Sequence, residues 1–307
     1  MNAKIRGVVP PVVTPLLPSG ELDVESYERH LNRMIDAGVD GLFVLGSSSE
    51  VVFLTDERRR QVLEVAARVI DGRVPLLAGV IDTQTERVID HIRVAEEIGA
   101  DAVVATAPFY AIAGMAEVER HFRLLHEATD LPIFAYDIPV CVHVKLPTPM
   151  LLQLGKEGVI AGVKDSSGDD VSFRYLAMGN KAMGSPMSIL TGHEVVVDGA
   201  YMAGADGSVP GLGNVDPAGY VRQWKAYEAG DWETVRVEQD RLAELMRIAM
   251  VSKGVVGYGS GVGSFKTALW LLGVFETNQM TPPVLPLEGE NVEAIREVLI
   301  HTGLLDN

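Results

Sequence analysis

The chain has 307 residues, of which 47% are hydrophobic and 22% are charged, which is typical of a folded globular protein. Its formal net charge of −16 disfavours binding to nucleic acid or to an anionic membrane surface, because both need clustered Lys and Arg. A single cysteine excludes an internal disulfide and a CxxC zinc site. No signal-peptide core and no apolar run of membrane-spanning length is present, so we expect a cytoplasmic protein.

Short apolar runs alternate with amphipathic segments over most of the chain. The apolar runs are mostly continuous, as in parallel strands that are buried on both faces. Several amphipathic segments carry capping signals: Thr55 precedes an acidic turn, and Gly38, Gly72 and Gly99 follow helical patterns. The patterns predict strands at 8–14, 41–46, 75–80, 102–107, 132–136, 160–164, 188–191 and 207–209. They predict helices at 24–37, 56–70, 85–98, 116–128 and 170–178.

The repetition of this strand–helix unit predicts the fold class. It recurs eight times, which indicates an α/β protein with a (β/α)8 TIM barrel over residues 1–215. The alternative, a doubly wound sheet, usually has a glycine-rich dinucleotide fingerprint after its first strand. Here a proline-broken segment follows Thr14 and cannot cradle a pyrophosphate, so the barrel is favoured.

Residues 216–307 contain further helical patterns and a proline-rich link. We expect a C-terminal helical extension that packs on the barrel or on a neighbouring subunit. Its predicted helices lie at 217–229, 231–250, 264–272 and 291–300.

Strand ends are the places to look for chemistry, because active sites in such barrels lie at the carboxyl ends of the strands. A lysine, two tyrosines and a group of hydroxyls converge on this face. The candidates are Lys164, Tyr136, Tyr110, Ser47, Ser48, Ser166, Gly192 and Glu194.

Lys164 closes an apolar strand, so its side chain is expected to point into the barrel. Burial would lower its pKa, and a neutral amine can attack a carbonyl to form a Schiff base. The alternative is a lysine that pairs with Asp165 or another carboxylate at the rim, and position alone does not decide between the two. Lys266 is a competing lysine, but it lies at a helix start outside the barrel, where we expect a structural or rim role.

Hydroxyl groups accompany the lysine. Tyr136 ends an apolar strand, where its hydroxyl would either move protons at an imine or be a core hydroxyl with one hydrogen bond. Ser47 and Ser48 lie between a strand and a helix, and their hydroxyl and N–H groups suit a substrate carboxylate. The alternative for these serines is an ordinary polar loop.

The sequence does not match other catalytic motifs. The glycine-rich segment 257–263 follows no clear strand, so it is a weak nucleotide-binding motif. No nucleophile elbow is present, since Glu50 stands where its last glycine would be. His121 and His126 are five residues apart, which misses metal-ligand spacing on a helix and disfavours a metal-dependent aldolase.

Four segments, in order along the chain, resemble motifs of the dihydrodipicolinate synthase / N-acetylneuraminate lyase family of pyruvate-dependent Schiff-base enzymes. The resemblance extends from about Gly7 to Leu272. The first two segments, similar to the family's Gly-[Thr/Ser]-Thr-Gly-Glu loop and Tyr-Asn-x-Pro motif, are Gly46-Ser47-Ser48-Ser49-Glu50 and Tyr136-Asp137-Ile138-Pro139. The others, similar to its Lys-Asp-[Ser/Thr]-[Ser/Thr]-Gly segment and to the approach to its last strand, are Lys164-Asp165-Ser166-Ser167-Gly168 and Ala203-Gly204-Ala205-Asp206-Gly207.

The resemblance implies a role for each matching residue. Lys164 would form the imine with pyruvate or another 2-oxo acid, and Tyr136 would be the general acid and base. Ser47 and Ser48 would bind the pyruvyl carboxylate, and Ser47 would also relay protons. Tyr110 would match the family's relay tyrosine, which crosses a tight dimer interface to serve the neighbouring subunit. The assembly would be a homotetramer, a dimer of dimers. No metal and no cofactor are implied beyond the covalent lysine imine.

Departures from the family's pattern bear on the substrate. At the position of Cys141, the synthase branch usually has an arginine that binds the carboxylate of the aldehyde substrate. Cysteine has no guanidinium group and cannot form this ion pair. The lyase branch usually places acidic residues after Gly192 to hold sugar hydroxyls. Glu194 can serve here, but Val195 replaces a second acid, and Gly211 stands where a serine is usual. Ser49 and Asp137 also depart from the motifs, with no assigned consequence.

The sequence therefore predicts a lyase that reversibly cleaves a 2-keto-3-deoxy sugar acid, of the N-acetylneuraminate type, to pyruvate and an aldehyde. The alternatives are 4-hydroxy-tetrahydrodipicolinate synthase, a keto-sugar-acid dehydratase that uses the same imine, and a barrel that binds a 2-oxo acid without turnover. The predicted substrate-binding residues are Ser47, Ser48, Ser166, Gly192, Glu194 and Cys141.

Overall fold

The computed structural model describes residues 4–306 and contains one ring of eight parallel strands surrounded by helices. The fold is the predicted (β/α)8 barrel. Hydrogen-bonded neighbours follow the order 1-8-7-6-5-4-3-2 around the ring. The strands are β1 (Gly7–Val8), β2 (Leu42–Val44), β3 (Leu76–Gly79), β4 (Ala102–Thr106), β5 (Ile133–Asp137), β6 (Gly162–Asp165), β7 (Ser188–Thr191) and β8 (Gly207–Ser208).

Helices connect the strands and cover the barrel. The predicted helices are all present, with ends that differ by at most four residues from those predicted, and three short helices were not predicted. Within residues 4–306, no helix combines the length and hydropathy that a membrane crossing requires. The helices are α1 (Val24–Asp36), α2 (Asp56–Ile70), α3 (Thr85–Ile98), α4 (Met115–Ala128), α5 (Pro139–Val142), α6 (Thr148–Lys156), α7 (Asp170–Ala182), α8 (Val197–Ala203), α9 (Pro217–Glu228), α10 (Trp232–Met246), α11 (Val262–Leu271) and α12 (Glu290–His301).

The first predicted strand, residues 8–14, is too long. Only Gly7–Val8 forms a ladder, with β8, because the chain then passes through two prolines that have no N–H to donate. The barrel still closes between this segment and β2. The backbone N–H of Phe43 donates to the carbonyl of Pro10 at 3.0 Å, and that of Val12 donates to the carbonyl of Phe43 at 2.8 Å.

The strand register places the candidates Tyr136 and Lys164 side by side, next to Thr106. Thr106 of β4 is level with Tyr136 of β5, and Tyr136 is level with Lys164 of β6. Side chains at paired positions of parallel strands point to the same face of a sheet, and all three are buried. The barrel therefore brings a phenol and an amine together at the carboxyl ends of β5 and β6.

The C-terminal helices pack directly on the barrel. Buried apolar side chains of α10, α11 and α12 belong to the same core cluster as those of the strands; examples are Leu242, Leu269 and Leu299. The buried Asn214 joins the segment after β8 to the first strand segment, since its side chain accepts from the N–H of Val13 at 3.0 Å. The division of the chain at residues 215 and 216 stays a prediction.

Candidate active site

The Lys164 side chain is buried at the end of β6, with 5% of its surface exposed. Its Nζ lies 4.0 Å from the ring centroid of Tyr136 and 4.8 Å from that of Phe43. Burial lowers the pKa of Lys164 from 10.5 to about 7, while the nearby Glu194 and Cys141 act weakly in the opposite direction. A substantial fraction of this amine is therefore neutral near pH 7, as a nucleophile requires.

The alternative prediction for Lys164, an ion pair with Asp165, is not found among residues 4–306. The Asp165 carboxylate instead accepts a hydrogen bond from the N–H of Ser167 at 2.8 Å. It also lies 4.0 Å from Lys145 Nζ. No carboxylate of the described residues lies at ion-pair distance from Lys164.

The Tyr136 phenol is buried close to the amine of Lys164. Burial raises the pKa of Tyr136 above its usual value of 10, and the nearby Ser47 and Ser166 offset this effect only in part. A phenol that stays protonated beside an amine can donate a proton to a departing hydroxyl and later take one back.

The serine loop, defined here as residues 46–50, is held rigidly behind these hydroxyls. It forms a 3₁₀ turn over Ser47–Ser49, and Glu50 adopts the left-handed conformation with φ 57°. The buried Glu50 carboxylate pairs with the buried ammonium of Lys266 and accepts from the N–H of Thr281 at 3.0 Å. Lys266 is therefore structural, as expected, but it lies in the interior rather than at the rim.

Gly192 provides space beside the lysine. A Cβ at this position would lie 2.0 Å from Ser166 Oγ and 3.3 Å from Lys164 Cε. No side chain fits there without displacing Ser166. The predicted substrate-binding residues Ser166 and Gly192 are therefore direct neighbours of the lysine.

Glu194 lies beside the lysine and is fixed by backbone donors. Its Oε1 accepts from the N–H of Leu212 at 2.7 Å, and burial raises the pKa of this carboxyl. A Cβ on Gly211 would lie 2.7 Å from the same oxygen. Glycine in place of the usual serine thus lets Glu194 approach the backbone here. The neighbouring His193 turns toward Asp170, with 3.6 Å between Nδ1 and Oδ1.

Cys141 lies in α5 at the mouth of the barrel and is exposed. Its side chain lies close enough to Lys164 for their charges to interact. With Ser47, it lines a cavity of about 290 Å³ whose walls are largely apolar. Cys141 brings no positive charge to this cavity.

Comparison with known proteins decides the family, since residues 4–302 match the model of the dihydrodipicolinate synthetase family. The chain belongs to this family. An uncharacterized DapA-like lyase of Halobacterium salinarum is 34% identical over 98% of this chain and 95% of its own. The 4-hydroxy-tetrahydrodipicolinate synthase of Thermotoga neapolitana is 29% identical over 98% and 99%. The crystal structure of YagE, an E. coli K12 prophage protein of the family in complex with pyruvate, gives a TM-score of 0.93 at 26% identity over 99% and 100%.

Members of the dihydrodipicolinate synthetase family are lyases of the class I aldolase type. They act through a lysine Schiff base with pyruvate and need neither a metal nor an organic cofactor. The present chain is therefore a lyase of this type, in agreement with the prediction from its motifs.

Tyr110 is almost fully exposed on its own chain. Its side chain is 94% exposed, and its φ of 72° is in the left-handed region that bulky residues rarely adopt. Such an exposed phenol, held in an unfavourable backbone conformation, is available to a second subunit. The role that the family resemblance implies for Tyr110 stays a prediction.

Within residues 4–306, one cluster of potential metal ligands lies away from this site. Ligand atoms of Asp56, Asp82 and His91 lie within 4.8 Å of one another. The Asp82 carboxylate already receives Arg87 at 3.0 Å and Arg59 at 3.7 Å. Two guanidinium groups thus occupy the positions near Asp82 that a cation would take, and the cluster is an ion-pair network.

Sequence reasoning missed Tyr258 as a neighbour of the site. It lies in the glycine-rich segment 257–263, which was considered only as a nucleotide-binding loop. It lines one cavity together with Ser47 and Cys141, and burial raises the pKa of its phenol. Local pattern gives no signal for this proximity, because it joins residues that are about two hundred positions apart in the chain.

Proposed function

We propose that the protein reversibly cleaves a 2-keto-3-deoxy sugar acid to pyruvate and an aldehyde, with Lys164 as the nucleophile. The observation that carries this proposal is the buried amine of Lys164, with a pKa of about 7, beside the phenol of Tyr136. These two groups supply the nucleophile and the proton carrier of an imine mechanism.

In the proposed reaction, Lys164 Nζ attacks the 2-oxo carbon of the substrate to give a carbinolamine. Tyr136 donates a proton to the carbinolamine hydroxyl, which leaves as water and gives the cationic imine. Tyr136 then takes the proton of the C4 hydroxyl, the C3–C4 bond breaks, and its electron pair moves to the imine to form an enamine. Release of the aldehyde, protonation at C3 and hydrolysis return free Lys164 and pyruvate.

The pyruvyl carboxylate is proposed to bind at the serine loop. Ser47 and Ser48 are half-buried there and offer hydroxyl and N–H donors, and the loop behind them is fixed by the Glu50–Lys266 pair. Donors that need no reorganisation bind an anion at little cost. Gly192 leaves room for the substrate next to the lysine.

Two residues favour a sugar acid over aspartate semialdehyde. Cys141 stands where a synthase would present a guanidinium to the second carboxylate, and no cationic replacement lines the adjacent cavity within the described residues. Glu194 is a hydrogen-bond acceptor beside Lys164, as a hydroxyl-bearing substrate needs. The competing function is 4-hydroxy-tetrahydrodipicolinate synthase, the name that several relatives carry.

Two measurements test the proposal. Pyruvate plus borohydride is expected to leave a reduced three-carbon adduct on the peptide that contains Lys164, and Lys164→Ala is expected to abolish it. Pyruvate release is then measured with a panel of 2-keto-3-deoxy sugar acids, and pyruvate consumption with aspartate semialdehyde. An adduct on Lys266 or none at all would contradict the mechanism. Efficient turnover of aspartate semialdehyde would instead support the competing function, 4-hydroxy-tetrahydrodipicolinate synthase.

We also propose that the chain assembles as a homotetramer, a dimer of dimers. Two separate groups of exposed apolar side chains support two interfaces. The first group includes Tyr110 itself, and its members are Tyr110, Ile112, Met115, Val52 and Val140. The second follows helical spacing on α7 and continues onto α8, and it comprises Val171, Tyr175, Met178 and Met202. Light scattering with Tyr175→Asp tests this arrangement, since that variant is expected to give dimers; an unchanged mass contradicts it.

A further inference from the structure

Each of the two reacting side chains is followed in the chain by a buried carboxylate. Asp137 comes directly after Tyr136 at the end of β5 and is fully buried. Asp165 comes directly after Lys164 at the end of β6 and is 5% exposed. The two aspartates are paired in the strand register, so their side chains point to the face of the sheet opposite to the phenol and the amine. Two carboxylates therefore lie side by side behind the reacting groups.

Neighbouring buried carboxylates repel each other and need a counter-ion. Lys145, in the link between α5 and α6, supplies it. Its ammonium pairs with the carboxylate of Asp137 and lies 4.0 Å from Asp165 Oδ2. Burial raises the pKa of Asp137, and Lys145 acts in the opposite direction. One cation thus joins the carboxylates at the ends of β5 and β6.

The link that carries Lys145 is attached to the same place. Val144 and Leu146, on either side of the lysine, are buried, while the Lys145 side chain is 33% exposed. The N–H of Leu146 donates to Asp137 Oδ1 at 3.1 Å. Both oxygens of the Asp137 carboxylate are therefore engaged, one by the backbone and the other by the ammonium.

The same two aspartates hold the turns that surround the amine. The carbonyl of Asp137 accepts from the N–H of Ser166 at 2.8 Å. The carbonyl of Asp165 accepts from the N–H of Gly192 at 2.7 Å, and its Oδ1 accepts from the N–H of Ser167 at 2.8 Å. Ser166 and Gly192 are direct neighbours of the catalytic lysine. A shift of either strand end would therefore be transmitted to the reacting groups.

We propose that Lys145 is a positioning residue, which holds the ends of β5 and β6 together and thereby sets the position of Tyr136 against Lys164. This inference rests on the imine chemistry proposed above. It also assigns a consequence to one departure from the family's motifs, since Asp137 replaces the asparagine of Tyr-Asn-x-Pro. An amide at this position carries no charge, whereas the carboxylate of Asp137 requires the cation that Lys145 brings.

The test is a double-mutant cycle of Lys145→Met and Asp137→Asn, measured as the rate of imine formation with pyruvate. Lys145→Met leaves two carboxylates without their cation, and we expect the maximal rate to fall about tenfold, because small misplacements of reacting groups are costly. The pyruvate concentration that gives half the maximal rate should be nearly unchanged, since the serine loop is not altered.

The double variant Asp137→Asn/Lys145→Met should recover most of the lost rate. Its amide oxygen can still accept from the N–H of Leu146, and only one of the two carboxylates remains. Lys156→Met, at the exposed end of α6, is the matched control and should form the imine at the wild-type rate. Melting temperatures are measured for every variant, and rates are compared well below them.

Two results would overturn this role. The first is a Lys145→Met variant that forms the imine at the wild-type rate, or one whose change is confined to the half-saturating concentration. The second is an Asp137→Asn background in which Lys145→Met still lowers the rate about tenfold, and this comparison decides even where the single Lys145→Met variant does not fold. Borohydride trapping separates either failure from that of the proposed function. A wild-type protein without a Lys164 adduct contradicts the function, whereas adducts that form equally fast across the cycle contradict only the role of Lys145.

Discussion

At the scale of single residues, the burial of Lys164 sets the pH at which the enzyme can act. Because the pKa of Lys164 is about 7, the neutral fraction of its amine increases with pH up to that value and changes little well above it. We expect the rate of imine formation with pyruvate to rise tenfold per pH unit below pH 6 and to level off above pH 8. Stopped-flow trapping over pH 5–9 measures this profile. A rate that still rises between pH 9 and 10 would show a lysine with an ordinary pKa.

The same burial predicts a pH-dependent cost in stability. Because folding lowers the pKa of Lys164 from 10.5 to about 7, the unfolded chain holds this proton more tightly. The unfavourable contribution of Lys164 to the free energy of folding is present in full below pH 7, and it decreases as the pH rises from 7 toward 10.5. Lys164→Met should therefore be more stable than wild type by a few kcal/mol at pH 6, at about 1.4 kcal/mol per pKa unit, and the gain should shrink by pH 10. Lys253→Met, at an exposed loop lysine, is the control, and a gain independent of pH would contradict the argument.

At the scale of elements, α11 holds the serine loop through one buried ion pair. Lys266→Met leaves the Glu50 carboxylate buried without its counter-ion, and such a loss costs about 3–5 kcal/mol of unfolding free energy. We expect the pyruvate KM to rise as well, because the loop that presents Ser47 is no longer fixed. The double variant Glu50→Gln/Lys266→Met should recover part of the stability, since no charge is left unpaired. Denaturant unfolding of the two singles and the double measures this coupling, and simple additivity would refute it.

The elements also show which features the sequence can predict. The strands that carry Tyr136 and Lys164 follow from continuous apolar runs and end one residue later than predicted, and β7 was predicted with both ends in place. The length of β1 was wrong because consecutive prolines remove ladder donors while leaving the hydrophobic pattern intact. The cavity that Tyr258 shares with Ser47 and the ion pair of Lys266 with Glu50 could not be predicted, since each depends on how a C-terminal segment folds back on the barrel.

At the scale of the whole molecule, the C-terminal segment completes the catalytic barrel. It contributes Lys266 and Tyr258 to the surroundings of the serine loop, and its apolar residues share the core of the strands. The predicted boundary between barrel and extension therefore separates parts of the sequence whose side chains meet at one site. The division is useful for describing the chain, while the chemistry near Ser47 depends on both parts.

The net charge of the molecule opposes its proposed substrates. The chain carries −16, and 2-oxo acids are anions, so the long-range field should slow their approach. Binding must then depend on local donors at the serine loop and on the cationic imine, neither of which is strongly screened by salt. We expect kcat/KM to hold or rise modestly as ionic strength increases from about 0.02 to 0.2 M, where the Debye length falls below about 10 Å. Imine formation with uncharged pyruvamide is the control and should not respond to salt. A steep fall in kcat/KM for the anion alone would instead reveal a basic entry path to the barrel mouth.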